Sequence, residues 1–257
     1  MRKFTIFLFS ALYGTTTLFA QRDGVEPFKN LSVGLNIGVL SGVGIDAGTY
    51  VSDHVGLRAG FNYLKSPSIE EDVDAKVEVA QNPGYRDYEA TVKANARVNL
   101  STFKVLADYY PNKKWPFHVT GGFYIGASNI VTVDAYADDI KVDGKTYKRE
   151  DIKNWYIDLD DTRIKAKDGK VDAAITTWSV KPYVGIGFGN TVPMKHRVGV
   201  MGELGVMFHG KPKITSKTDP NITTHIAETE GSEKFFDVMH KIVGIPVLNI
   251  RICGRIF

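Results

Sequence analysis

The chain has 257 residues, of which 43% are apolar and 24% charged. That supports one sizeable core and excludes disorder along the whole length. A single cysteine rules out a disulfide framework and any cysteine-rich zinc or iron–sulfur centre. A formal charge of +3 is too small for a nucleic-acid partner.

The N-terminus reads as an address. Arg2 and Lys3 precede an apolar run from Phe4 to Leu12, and Ala20 is a small residue before the polar Gln21-Arg22-Asp23. This pattern predicts a secretory signal peptide over 1–20 and a mature domain over 21–257. A membrane anchor would need about 20 apolar residues, more than this run offers. No cysteine follows it, which excludes a lipoprotein anchor. Loss of Arg2 and Lys3 would take the charge from +3 to +1.

Beyond the leader the hydrophobic period is two. Leu31, Val33, Leu35, Ile37 and Val39 share one face. So do Val43, Ile45 and Ala47, then Leu57, Ala59 and Phe61. Val184, Ile186 and Phe188 repeat the pattern, as do Val198, Val200, Leu204 and Val206. These faces carry no charge, and the alternation predicts half-buried strands. Eight are expected, at about 31–40, 42–51, 54–65, 88–110, 116–135, 177–189, 197–210 and 245–257. The apolar face changes parity in the fourth, which predicts a β-bulge near Ser101–Thr102. Pro182 should take an unpaired or bulged position.

A soluble sandwich would show the same alternation. Two features favour a closed membrane barrel. Short turns at Ser52–His54, Pro111–Trp115 and Asn190–His196 alternate with long loops at 66–87, 136–176 and 211–244, the habit of outer-membrane barrels. The opposite strand faces are rich in glycine and large polar groups, as a narrow eight-stranded lumen requires. The expected fold is therefore all-β: an eight-stranded antiparallel transmembrane barrel with short periplasmic turns and long extracellular loops. Aromatic residues near strand ends, Tyr63, Tyr109, Tyr110, Trp115, Phe117 and Trp178, are candidates for the two interfacial girdles.

Leu106-Ala-Asp-Tyr-Tyr-Pro111, Phe117-His-Val-Thr-Gly-Gly-Phe-Tyr124, Lys181-Pro-Tyr-Val-Gly-Ile-Gly-Phe-Gly-Asn190 and Gly205-Val-Met-Phe-His-Gly-Lys-Pro212 resemble a family of small, largely uncharacterised Gram-negative outer-membrane β-barrel proteins. The resemblance covers most of residues 30–257. It implies location in the outer membrane, contact with its lipid, and an OmpA-like or porin-like barrel; it implies no catalytic residue and no cofactor. The terminal Phe257 resembles the aromatic end by which such barrels reach the barrel-assembly machinery, although Leu248, Ile250, Ile252 and Ile256 lie on the opposite face.

The lumen face gathers charge. With a turn centred on Ser52, Asp46 falls opposite Arg58; with one centred on Pro193, Tyr183 faces Glu203 and Lys181 is its diagonal neighbour. Arg251 and Arg255 point to the same side. An ionised group in a narrow lumen needs a partner. These seven residues are thus expected to form an ion-pair network that fills the barrel, in a non-enzymatic structural or interaction protein. The alternatives are a narrow porin-like conduit for small solutes and, with less support, a lipid-modifying outer-membrane enzyme. Nothing orders a Ser and an acid around His54, His118, His196, His209, His225 or His240. Asp138-Asp139 and Asp158-Leu-Asp160-Asp161 lack a calcium-loop spacing and read as solvated turns. Residues 232–243 predict a short amphipathic helix in the third long loop, where an extracellular or membrane partner would meet the protein.

Overall fold

The computed structural model describes residues 25–80, 85–136, 140–142, 145–147, 152–159, 162–167, 170–218, 223–225 and 244–257. The signal peptide and the 232–243 helix expected from sequence lie outside these residues. Every regular element described is a strand. In chain order they are β1 (Leu31–Val39), β2 (Gly42–Ser52), β3 (Val55–Tyr63), β4 (Ile69–Ala80), β5 (Tyr85–Val98) and β6 (Thr102–Tyr109). Next come β7 (Phe117–Gly126), β8 (Asn129–Tyr136), β9 (Ile140–Val142), β10 (Lys145–Tyr147), β11 (Ile152–Leu159) and β12 (Thr162–Lys165). The last are β13 (Lys170–Thr176), β14 (Val180–Phe188), β15 (Val198–Phe208), β16 (Lys213–Thr215), β17 (Thr223–His225) and β18 (Gly244–Arg255).

Eight of them close an antiparallel barrel in the order β1-β18-β15-β14-β7-β6-β3-β2. The expected fold class is therefore the one found. Closure is made by β1 on β18, where Ser32 pairs with Arg255 and Val39 with Leu248. The first residue of β1 and the last two residues of the chain meet at this seam: Leu31 N–H donates to Phe257 O, and Ile256 N–H to Leu31 O. No edge is left in the barrel, which is what a span through lipid requires. The tightest turn, Leu40–Ser41, needs positive φ at Leu40 (64°) and Gly42 (75°). A Cβ at Gly42 would also fall 2.2 Å from Tyr63 O.

The segments expected as long loops carry strands of their own. A second sheet runs β12-β11-β4-β5-β8-β13-β16-β17, and β9 pairs with β10 apart from it. The expected 88–110 strand is thus two strands, β5 and β6, one in each sheet. The parity change at residues 99–101 is the junction between them, not a bulge within one strand. The expected 116–135 strand divides in the same way at Ala127–Ser128. Pro182 pairs with Phe123 on β7 but has no partner on β15, where pairing starts at Tyr183, so it takes the unpaired position expected on that side.

Polarity inverts across these junctions. In the barrel, Leu35, Ile37, Ile45, Leu204 and Ile250 point outward and are more than half exposed, while the polar faces turn in. In the second sheet, Val92, Ala94, Ala135, Val171 and Ala173 are buried. Glu70, Glu71, Asp72, Lys93 and Arg97 are exposed there, with pairs Lys93–Glu70 and Arg97–Asp134 on the surface. One chain thus presents an apolar belt over one half and a water-type surface over the other. The sequence period is two in both halves; only the direction of the apolar face differs.

The belt makes a direct prediction. Ile250→Arg, on the outer face of β18, should destabilise the protein in lipid vesicles by about 2–4 kcal/mol. Lys93→Ala, on the second sheet, should change stability by less than about 0.5 kcal/mol. Urea unfolding in vesicles measures both.

Candidate functional site

The inward faces of the eight barrel strands carry an alternation of glycine and bulk. Cβ atoms at Gly185 and Gly205 would lie 2.5 and 2.4 Å from Tyr183 Oη, so both glycines make room for that ring. Gly34 does the same for Arg251, at 2.6 Å from its Nε. The space so made is filled with charge.

Two ion clusters occupy it. In the first, Arg58 donates from Nε to Asp108 Oδ2 and from Nη2 to Asp108 Oδ1, both at 2.7 Å. The Arg58 Nη2 also pairs with Glu203 Oε2. Tyr183 Oη donates to Glu203 Oε1 at 2.8 Å. The Thr120 hydroxyl lies 2.9 Å from Asp108 Oδ1 and 3.0 Å from Glu203 Oε2. In the second cluster Asp46 receives Lys104 Nζ at 2.9 Å, Arg251 Nε at 2.5 Å and Asn36 Nδ2 at 3.2 Å. All six charged groups are buried. Three acids face three bases, so the burial cost of each charge is offset by a paired neighbour.

The β14–β15 turn closes this interior from the short-turn rim. Asn190, Thr191, Val192 and Pro193 are buried. Thr191 binds both clusters: its hydroxyl donates to Asp108 Oδ2 at 2.7 Å, and its carbonyl accepts from Arg251 Nη1 at 2.9 Å and Ser32 Oγ at 2.7 Å. Its N–H donates to Tyr110 Oη at 2.9 Å, and that hydroxyl donates to Gly189 O at 3.2 Å. Val192 packs with Tyr50 and Tyr110, flanked by Val25 and Met194.

Of the seven residues expected in a lumen network, Asp46, Arg58, Tyr183, Glu203 and Arg251 lie in the two clusters, with partners other than those expected. Arg58 sits opposite Gly48, and Asp46 opposite Gly60. The turn is Asp53–His54, and the register shifts between Tyr50 and Ser52, so the centre assumed at Ser52 is displaced. Glu203 sits opposite Gly187, and Tyr183 opposite Met207, because the inserted 189–197 turn moves the β14–β15 centre beyond Pro193. Tyr183 still reaches Glu203, by the length of its ring along the lumen. Lys181 does not pair with Glu203; its ammonium donates to Ala127 O at 3.4 Å. Arg255 leaves the network and donates to Met194 O at 3.0 Å.

The aromatic expectations divide. Tyr63, Tyr109, Trp115 and Trp178 are each more than half exposed. Phe117 is half-buried against Phe188, with ring centroids 5.4 Å apart. Tyr110 is not an interfacial residue: it is fully buried and holds the turn.

Sequence reasoning missed Lys104, Asp108, Thr120, His118 and Thr191. The first two had a visible signal, since Lys104 and Asp108 alternate with Phe103, Val105, Ala107 and Tyr109. Thr191 had none, because it reaches the lumen from a turn. His118 is buried in the lumen beside Asp108 and Glu203, with one ring or carboxylate atom from each of the three within 4.8 Å of the others. The acidic residues 138, 139, 160 and 161 lie outside the described residues.

No family model and no curated protein matches the chain. Among solved structures, CarO2 of Acinetobacter baumannii is 16% identical with a TM-score of 0.44, covering 88% of this chain and 98% of that one. CarO of the same organism is 17% identical with a TM-score of 0.43, covering 90% of this chain and 99% of that one.

The pairing yields a prediction on stability. Asp108→Ala leaves the buried Arg58 without its forked partner and the buried Thr191 hydroxyl without its acceptor, and should cost about 3–5 kcal/mol. Lys113→Ala, which breaks a half-exposed pair with Asp53 at 2.6 Å, should cost less than about 1 kcal/mol. Urea titration of the refolded protein in micelles would separate the two.

Proposed function

We propose that this protein is a non-enzymatic barrel of the Gram-negative outer membrane with a closed lumen, and that its working surface is the second sheet. The observation that carries the reading is the inverted polarity. An aliphatic belt surrounds a charge-neutralised interior, and the chain changes to a water-type sheet where the belt ends. Lipid around the belt would hold the barrel, and no conduit crosses the paired interior. A leader over 1–20 would deliver the chain to the envelope. Phe257, exposed beyond the end of β18, would serve as the signal to the barrel-assembly machinery. The second sheet and its connections would then meet an extracellular or membrane partner.

Planar-bilayer recording tests this. Refolded mature protein, verified by a heat-dependent shift in gel mobility, should give no stable open steps. Stable steps whose ion selectivity changes in Glu203→Ala or Arg251→Ala would replace the closed-lumen reading with a narrow conduit.

A further inference from the structure

The short-turn rim of the barrel carries more cations than it can pair. Its described residues are 25–30, 52–55, 110–117, 189–197 and 254–257, and their only acidic side chains are Glu26 and Asp53. Glu26 pairs with Lys29, and Asp53 with Lys113 at 2.6 Å. Lys114, Lys195, Arg197 and Arg255 remain, and among the described residues none of them meets a carboxylate. Lys195, His196 and Arg197 stand exposed in a row where the inserted turn leaves the lumen. Thr191, Val192 and Pro193 are buried just before them, so the row cannot withdraw inward. Arg255 joins it from β18: its N–H donates to Arg197 O at 2.7 Å, and its Nη1 donates to Met194 O at 3.0 Å. The barrel wall beside this row is aliphatic. Val198 pairs with Gly254 and Val200 with Ile252. Val198, Val200, Ile252 and Ile256 are all more than half exposed. Between them the wall is notched: a Cβ at Gly254 would meet only Arg197 O, at 3.9 Å. Beyond the other end of the belt the second sheet exposes Glu70, Glu71 and Asp72 instead.

We infer that the β15–β18 edge of this rim binds an anionic glycerophospholipid, with its phosphate on Lys195, Arg197 and Arg255 and an acyl chain in the notch over Gly254. The inference rests on the outer-membrane reading, in which the short-turn rim faces the periplasmic leaflet, the one built of glycerophospholipid. Cations at the end of an aliphatic furrow match the two ends of such a lipid. A guanidinium offers a phosphate two parallel donors, and an ammonium adds a point charge. A zwitterionic headgroup brings its own ammonium to a site that already has three cations, so the row favours a headgroup that carries net negative charge. The bound lipid would set the depth of the barrel and fasten its closed end to that leaflet.

Phosphatidylglycerol and phosphatidylcholine with the same acyl chains are the probes. Refolded mature protein in micelles is titrated with each, and bound lipid is counted by native mass spectrometry. Gel mobility with and without heat checks folding, and entry into pure phosphatidylcholine vesicles checks the membrane reading separately. Wild type should bind phosphatidylglycerol at least about tenfold more tightly than phosphatidylcholine at low salt, and the preference should shrink as salt is raised. Lys195→Gln combined with Arg197→Gln, both at exposed positions, should bring the preference below about threefold with the heat-dependent shift retained. Lys211→Gln combined with Lys217→Gln makes the same charge change at exposed positions beyond the other end of the belt and should leave the preference intact. Folded wild type that enters phosphatidylcholine vesicles yet binds the two lipids equally overturns the site and leaves the barrel reading standing. Folded protein that enters no vesicle overturns both. Equal loss of preference in the Lys211 and Lys217 variant overturns the site as a diffuse effect of charge. Inorganic phosphate that displaces the lipid at equal concentration overturns a lipid as the ligand.

Discussion

An eight-stranded barrel has an interior only wide enough for side chains, and this chain puts its charge there. The apolar faces of the strands point outward, so the polar faces have nowhere else to go. Every other feature of the barrel follows from that confinement. Carboxylates and cations must stand in contact, because an unpaired charge in such a site carries a large desolvation penalty. Glycines must alternate with them, because Arg251 and Tyr183 occupy volume that a neighbouring Cβ would claim. The turn carrying Thr191 is drawn inward because the two ion clusters leave acceptors and donors that a backbone segment can satisfy.

The same chain solves a different problem above the barrel. Strands β3, β6, β7, β14, β15 and β18 are continued or connected by strands of the second sheet, where Val92 and Ala94 are buried and Lys93 and Arg97 exposed. A strand of period two does not specify which face is inside; the medium does. In the proposed membrane the outward apolar face of the barrel would meet a medium that resembles it, whereas in the second sheet it must be covered. The short irregular pieces at 99–101 and 127–128 are where the alternation changes phase, and they sit between two environments that demand opposite arrangements. The proposed working surface and the closed interior are thus two consequences of one polarity rule.

Much of the candidate site was legible in the residues, and the missing part has a physical cause. Asp46, Arg58, Glu203 and Arg251 stand out because charges on the glycine-rich face of an apolar strand have no other use. Their partners could not be read, because register depends on turn geometry: a shift of the Asp53–His54 turn re-pairs every residue of β2 and β3. Side-chain reach adds a second layer, since Tyr183 meets Glu203 without sitting opposite it. Tyr110 shows the converse. Its neighbours mark it as a rim residue, yet the inserted turn claims its hydroxyl.

The sequence by itself determined the antiparallel all-β class and which residues of each barrel strand share the apolar face and which the polar one, because these depend on residue type and a two-residue period. The tertiary structure decided the second sheet, the pairing of the ions and the insertion of residues 190–193. It also decided the meeting of Asp108, His118 and Glu203, which come from three different strands. These arise from contacts between segments distant in the chain, where curvature, register and reach select partners that no local pattern records.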